Sequence, residues 1–289
     1  MKQTHSYTTG KSSRWVVVAA ALLLSSLFFI STPACRAQSQ CGINNTAFKS
    51  GEFLAYDLYF NWQFVWVKVG AASMSTVMST YNGQPAYRTS LITKGNDRLE
   101  SVFTMRDTLT SYCSFANLSP LYYRKGALEG TRYYVDELWY SYPNNFTKVR
   151  MHRINHHGEH FWQEQEYQEC IYDMMSIFLR ARNFDASTMS RGDVIPMPIT
   201  DAKHRSDSWL VYQGKETYKI DGSREKFRCL VFSFMEREDG RTTELIKFYV
   251  TDDLNHMPVR LDMNLSFGSA KAYLRAYRGV KNPLDSKVR

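Results

Sequence analysis

The feature that most limits what this chain can fold into lies near its C-terminus. Val259, Leu261, Met263, Leu265 and Phe267 are apolar, and Arg260, Asp262, Asn264 and Ser266 between them are polar. A period of two places one set on a buried face and the other in solvent, which only a strand does. Gly268-Ser269 follows, a two-residue hairpin signal with Gly at the first central position, and Ala270–Tyr277 supplies the return strand. The same grammar recurs upstream. Leu54, Tyr56, Leu58, Phe60 and Trp62 alternate with more polar neighbours, and Val65, Val67 and Val69 follow. Asn82-Gly83, Asp221-Gly222 and Asp239-Gly240 are tight turns between apolar runs, because their central positions need positive φ. Pro143-Asn144-Asn145 and His157-Gly158 turn the chain again. Strands are expected near 70–80, 85–93, 102–113, 121–126, 132–142, 147–154, 208–220, 226–236 and 242–250, with a polar loop at 94–101. Strands never alternate with helices, so a doubly wound parallel sheet or an α/β barrel is excluded. The fold expected is mainly β: a curved antiparallel meander, a half-barrel or split barrel, with one short helix packed against the sheet.

That helix is Asp173–Arg182. At 100° per residue Met174, Ile177, Phe178 and Ala181 form an apolar arc, widened by Met175 and Leu179. Asp173, Ser176 and Arg180 share the opposite face. Asp173 is expected to cap the first turn with its carboxylate, and Arg180 and Arg182 to place positive charge in the last. So short a helix is marginal alone, so the sheet must hold it.

The N-terminal residues read as an address. Lys2, Lys11 and Arg14 precede an apolar run from Trp15 to Ile30, and Ala34-Cys35-Arg36-Ala37 offers a cleavage site. Residues 1–37 are read as a signal peptide, with export to the periplasm or cell envelope. Acylation at Cys35, or retention as an uncleaved anchor, is the alternative. Residues 38–50 are read as a flexible arm, 51–280 as a single β-rich domain and 281–289 as a polar tail. The whole chain carries +8, but Lys2, Lys11, Arg14 and Arg36 leave with the signal and no acid does, so the mature charge is +4. That is no nucleic-acid footprint. Cys41, Cys113, Cys170 and Cys229 stay, too widely spaced to reveal a framework. Cys170 and Cys229 are read as small buried hydrophobes and not as a bridge.

Candidate chemistry is sparse. His152, His156, His157 and His160 with Glu159 straddle a Gly turn and read as a solvated hairpin tip, not a metal site. Ser176 has no histidine near it in sequence and no G-x-S-x-G elbow around it. Asp173, Ser176 and Arg180 therefore read as a cap and a polar network, with Arg180 also able to clamp a carboxylate or phosphate. Asp252-Asp253 reads as an Asx turn. Nucleotide loops and calcium loops are absent from the sequence, and no cofactor is expected. Aromatic residues are the excess, at 15% of the chain. Cross-strand ladders account for most of them, with an apolar or sugar-binding groove as the functional alternative.

Three stretches together carry a resemblance. They are Gly51-Glu52-x-Leu54-x-Tyr56 leading to Gly70-Ala71-Ala72, Asp173-Met174-Met175-Ser176 with Arg180, and Tyr249-x-x-Asp252-Asp253 followed by Met257-Pro258-Val259-Arg260. In this order and spacing the chain resembles the exported bacterial family called domain of unknown function 3108, from about Phe48 to Tyr277. The resemblance implies an envelope β protein and supplies no reaction and no site residues. A likeness of architecture to lipoprotein-carrier folds suggests acyl chains held against a curved sheet, an analogy that does not fix function. The expected function is non-enzymatic binding of a lipid or other apolar or amphipathic ligand, with Trp62, Trp66, Met174, Phe178 and Arg180 as ligand-binding residues. The alternative is an assembly factor meeting an envelope protein partner through a sheet edge or aromatic patch; a hydrolase ranks third.

Overall fold

The computed structural model describes residues 41–62, 65–96, 104–220, 225–265 and 268–288. The signal segment, the Asp221-Gly222 turn and most of the 94–101 loop lie outside the described residues. The first half of the chain is a continuous meander: β1 (Glu52–Trp62), β2 (Val65–Tyr81), β3 (Gln84–Gly95), β4 (Met105–Ser114), β5 (Pro120–Glu129), β6 (Arg132–Ser141), β7 (Thr147–Ile154) and β8 (His160–Tyr167). The helix α1 (Met174–Ala181) follows, then the short β9 (Val194–Pro196) and β10 (Ile199–Thr200). A second meander runs through β11 (Arg205–Lys219), β12 (Lys226–Glu238), β13 (Arg241–Thr251), β14 (Pro258–Leu265) and β15 (Gly268–Arg278), and β16 (Lys287–Val288) ends the chain.

The two meanders become one sheet because the last long strand pairs with the first. Phe60 faces Ala270, Leu58 faces Ala272 and Tyr56 faces Leu274. The sheet thus runs from β10 through β15 and β1 to β8, every neighbour antiparallel. It curves without closing into a barrel. Near its two ends the Gln163 amide donates to the carbonyls of Ala202 and Lys203 at 2.9 and 3.0 Å. The expected curved antiparallel sheet with one packed helix is what forms.

Asn82 and Gly83 have φ of 49° and 76°, and Asp239 and Gly240 have 48° and 74°. Both turns therefore need residues that tolerate positive φ, and both fall where the sequence puts them. The last hairpin does not. Leu265 pairs with Gly268 and Asn264 with Ser269, so Gly268-Ser269 opens β15, and residues 266–267 lie outside the described residues. Period-two alternation runs on into the turn and hides its position.

Three further expectations are corrected. A disulfide joins Cys41 to Cys170 across 129 residues, so Cys170 is not a free hydrophobe; Cys113 and Cys229 are free and buried. Spacing could not show this pair, because a meander brings together cysteines that are far apart in sequence. Residues 41–50 are not a loose arm. Phe48 is fully buried against Tyr87, with ring centroids 5.3 Å apart, and the Asn183 side chain accepts from the N–H groups of Thr46 and Ala47. The Asn183 side chain at α1's exit thus serves the arm's backbone. The tail is also fixed: Lys287 and Val288 pair with Phe227 and Lys226, and buried Ser286 binds the Asp253 carboxylate.

Candidate functional site

Side chains directly opposite each other on neighbouring strands share a face, so the register shows which residues look at α1. One row contains Glu52, Thr76, Thr89, Ser111, Tyr123, Leu138, Met151 and Gln163. Ser111 reaches the Asp173 carboxylate at 3.5 Å, which identifies this as the helix-facing side. Asp173 caps α1 as expected, accepting from the N–H groups of Met175 and Ser176 at 2.9 and 2.8 Å. The Ser176 hydroxyl donates back to its carboxylate at 2.7 Å. Burial raises the Asp173 pKa, and these hydrogen bonds oppose the rise.

The far end of α1 is locked by Arg182, which is 2% exposed. Its guanidinium makes two hydrogen bonds to Glu52, at 2.6 and 2.9 Å, and donates to the Asn255 carbonyl from Nε at 3.2 Å. The Tyr56 hydroxyl donates to the Pro258 carbonyl at 3.0 Å. The three stretches that carry the family resemblance therefore meet here: the start of β1, the helix, and the 252–258 turn. Every charge in the lock is paired and shut away from solvent, so this cluster fastens and has no room to bind. The sequence placed Arg182 only as a charge suited to the helix end.

The next row towards the hairpin ends changes character halfway across. It begins Leu54, Met74, Leu91, Leu109 and continues Lys125, Asp136, Arg153, Phe161. Asp136 is 8% exposed, and its Oδ1 has no hydrogen-bond partner, with the Arg153 guanidinium 3.7 Å away. Asp107, one row on, carries a second buried oxygen without a hydrogen-bond partner. Burial raises both pKa values; Lys125 opposes the rise at Asp107, and Arg153 and Lys125 oppose it at Asp136. The apolar half of this face continues through half-buried Leu58, Leu261 and Met263. A strip of aliphatic side chains thus lies beside a strip of under-solvated charge on one curved face. Apart from Leu109 and Asp107 on β4, the two strips sit on different strands, so sequence alone gave little sign of them.

The residues proposed from sequence divide between the two ends. Trp62 closes β1 opposite Val65, and its side chain lies outside the described residues. Trp66 is 38% exposed, with Lys271 Nζ 4.1 Å above its ring. It borders an open concavity of about 220 Å³ with Lys247, Met263 and Lys271. Met175, Ile177 and Leu179 of the expected arc are buried, but Met174 is exposed and Ser176, expected on the polar face, is buried with them. Phe178 is half-buried between two core clusters. Arg180 donates to the Cys41 carbonyl at 3.2 Å and lies over the Tyr172 ring. The concavity at Trp66 reaches neither Met174 nor Phe178.

On the opposite face the histidines do more than line a turn. His152 binds Glu137 through Nδ1 and His160 through Nε2, both at 2.9 Å, and the Tyr122 hydroxyl donates to Glu137 at 2.7 Å. Burial would raise the Glu137 pKa, but the hydrogen bonds from Tyr122 and His152 outweigh it and hold the carboxyl below its usual range. Trp139 stacks on Trp162 at 5.8 Å, Trp162 on His152 at 4.0 Å, and Arg150 covers Trp162 at 4.6 Å. The ring faces are occupied by one another, so this ladder stiffens the sheet and offers no free platform to a sugar.

These features define a class: a single curved antiparallel sheet wrapped on one short helix, with a fastened end and an amphipathic face. The chain belongs to the family described as protein of unknown function (DUF3108), which it matches over residues 55–275. No curated protein matches it. Among solved structures it is similar to a β-barrel-like protein of domain of unknown function DUF1849 from Brucella abortus. The identity is 10% and the TM-score 0.53, covering 82% of this chain and 100% of that one. That likeness shows the fold alone. A Bacteroides fragilis protein with a YmcC-like fold aligns at 9% identity and a TM-score of 0.31, over 82% of this chain and 100% of that one, too distant to carry an argument.

Proposed function

We propose that this chain is a non-enzymatic protein of the cell envelope that binds an amphipathic ligand along the helix-facing side of its sheet. The observation that carries the reading is the row in which Leu54, Met74, Leu91 and Leu109 run into Lys125, Asp136 and Arg153. An acyl or other apolar portion would lie along half-buried Leu58, Leu91, Leu261 and Met263, beside the packed Leu54, Met74 and Leu109. A polar head would supply Asp107 and Asp136 with the hydrogen bonds they lack, and burial of such a head strengthens each one. The Cys41–Cys170 disulfide supports an oxidising compartment, in keeping with export through residues 1–37. Trp66 lies on the opposite face with Asn61, Arg180 is committed to Cys41 and Tyr172, and Met174 is exposed, so these three leave the proposed binding set.

Native mass spectrometry tests this. The chain from Gln38, recovered without detergent from the envelope of its source cells, is expected to carry a lipid-sized mass that solvent extraction removes. Lys125→Glu should recover less of it. A bare monomer mass from both proteins contradicts the reading.

A further inference from the structure

The pairing of β1 with β15 sets two strand pairs side by side, β1–β2 and β14–β15, whose last described pairs, Trp62–Val65 and Leu265–Gly268, lie at the end of β1 opposite the Glu52–Arg182 lock. Hairpin ends are ordinarily polar, since their side chains face water. Here Val65 is 62% exposed, Val67 38%, Leu265 39% and Trp66 38%. Val67 faces Phe60 across the pair and Leu265 continues the line of Met263, so the exposed aliphatics extend the apolar half of the helix-facing side.

Behind these side chains, on the opposite face, the register builds a collar. Lys247, Asp262, Lys271, Tyr59 and Lys68 lie in one cross-strand row. The acids neutralise it in part. Asp262 is taken by Arg260 at 2.8 and 2.5 Å, one Asp57 oxygen is shared by Lys68 at 2.9 Å and Arg275 at 3.8 Å, and Glu244, bonded to Ser233, lies 4.0 Å from Lys247. Cations outnumber acids, and Lys271 rests on the face of Trp66. Aliphatic side chains near a tip, a tryptophan between them on the opposite face and a lysine collar behind both match the layers of a lipid bilayer read from core to headgroups.

We propose that the paired hairpin ends dock on an anionic lipid surface. Val65, Val67 and Leu265 enter the acyl boundary, Trp66 lies at headgroup level, and Lys68, Lys247, Lys271 and Arg275 meet the phosphates. The collar's excess of positive charge selects this occupant over an uncharged apolar partner. A protein partner would need a standard interface, roughly 800 Å² per side with fixed polar contacts, which four exposed apolar side chains do not supply. Docking does not depend on a ligand held inside the sheet, so it can fail or succeed independently of the binding reading above.

Vesicle flotation tests it with the chain from Gln38, which contains all three core clusters and the disulfide. The protein is expected to float with phosphatidylcholine vesicles containing phosphatidylglycerol. It should float less with phosphatidylcholine alone, and less again as salt screens the collar. Val65→Asp with Leu265→Asp should cut partitioning about tenfold or more, with an unchanged unfolding midpoint. Leu254→Asp, equally exposed (64%) but at the helix end, should float like the parent. Failure of the parent to float on anionic vesicles overturns the proposal, as does undiminished flotation of the double variant. A solution dimer that the double variant dissolves would assign the tips to a second copy and overturn it too.

Discussion

At the helix end of the sheet Glu52, Asp173, Arg182 and Asn255 are buried, and each is hydrogen-bonded. At the hairpin end Val65, Trp66, Val67 and Leu265 stand in solvent with cations around them. The same strand, β1, begins in the first environment and ends in the second. A buried charge is tolerable only when its partners are complete, and an exposed apolar side chain costs little stability where it sits. The helix end therefore carries the fold, and the hairpin end is free to be shaped by contact with something else. Between them, Asp136 and Asp107 are buried enough for their pKa values to rise, and one oxygen of each lacks a hydrogen-bond partner.

The contrast is broken most severely by removing one partner of the lock. Arg182→Ala leaves Glu52 charged and buried, and is expected to cost about 3–5 kcal/mol in urea unfolding. Removing the Cys41–Cys170 link, by Cys41→Ser with Cys170→Ser, releases the segment that buries Phe48 and should cost about 2–4 kcal/mol. Paired substitutions at the tip should stay within about 0.5 kcal/mol. A tip variant as damaging as Arg182→Ala would erase the distinction between the ends.

The smallest change has the opposite sign. Burial raises the folded-state pKa of Asp107 above its unfolded value, so its contribution to stability is present at low pH and is lost as pH rises through the folded pKa. Asp107→Asn should therefore raise the thermal midpoint at neutral pH, and the gain should shrink as pH falls into the carboxylate range. The same variant should retain less ligand. A residue that weakens the fold yet aids binding is what a site leaves behind.

Much of the fold was legible because it is written locally. Alternation gives strands, and Asn82-Gly83 and Asp239-Gly240 give turns, since each acts over a few residues. Asp173 was legible as a cap for the same reason. What stayed hidden is assembled across the sheet. Cys41 meets Cys170, Glu52 meets Arg182, and Lys125 meets Asp136 and Arg153 only after the meander fixes the register. The helix arc held at Met175, Ile177 and Leu179 and failed at its edges: Met174 is exposed, and Ser176 is spent on the cap, so it can point inward where hydropathy sends it out. The aromatic excess pointed correctly to cross-strand ladders, and of the two tryptophans named in advance, Trp66 lies at the hairpin end.

Amide hydrogen exchange of the chain from Gln38, with and without anionic vesicles, tests the division of labour most directly. Added protection is predicted at 65–68 and 265–271, with the peptides covering 52–56, 173–182 and 252–258 already slow to exchange and unchanged. Protection gained at the helix end, with none at the hairpins, would contradict it.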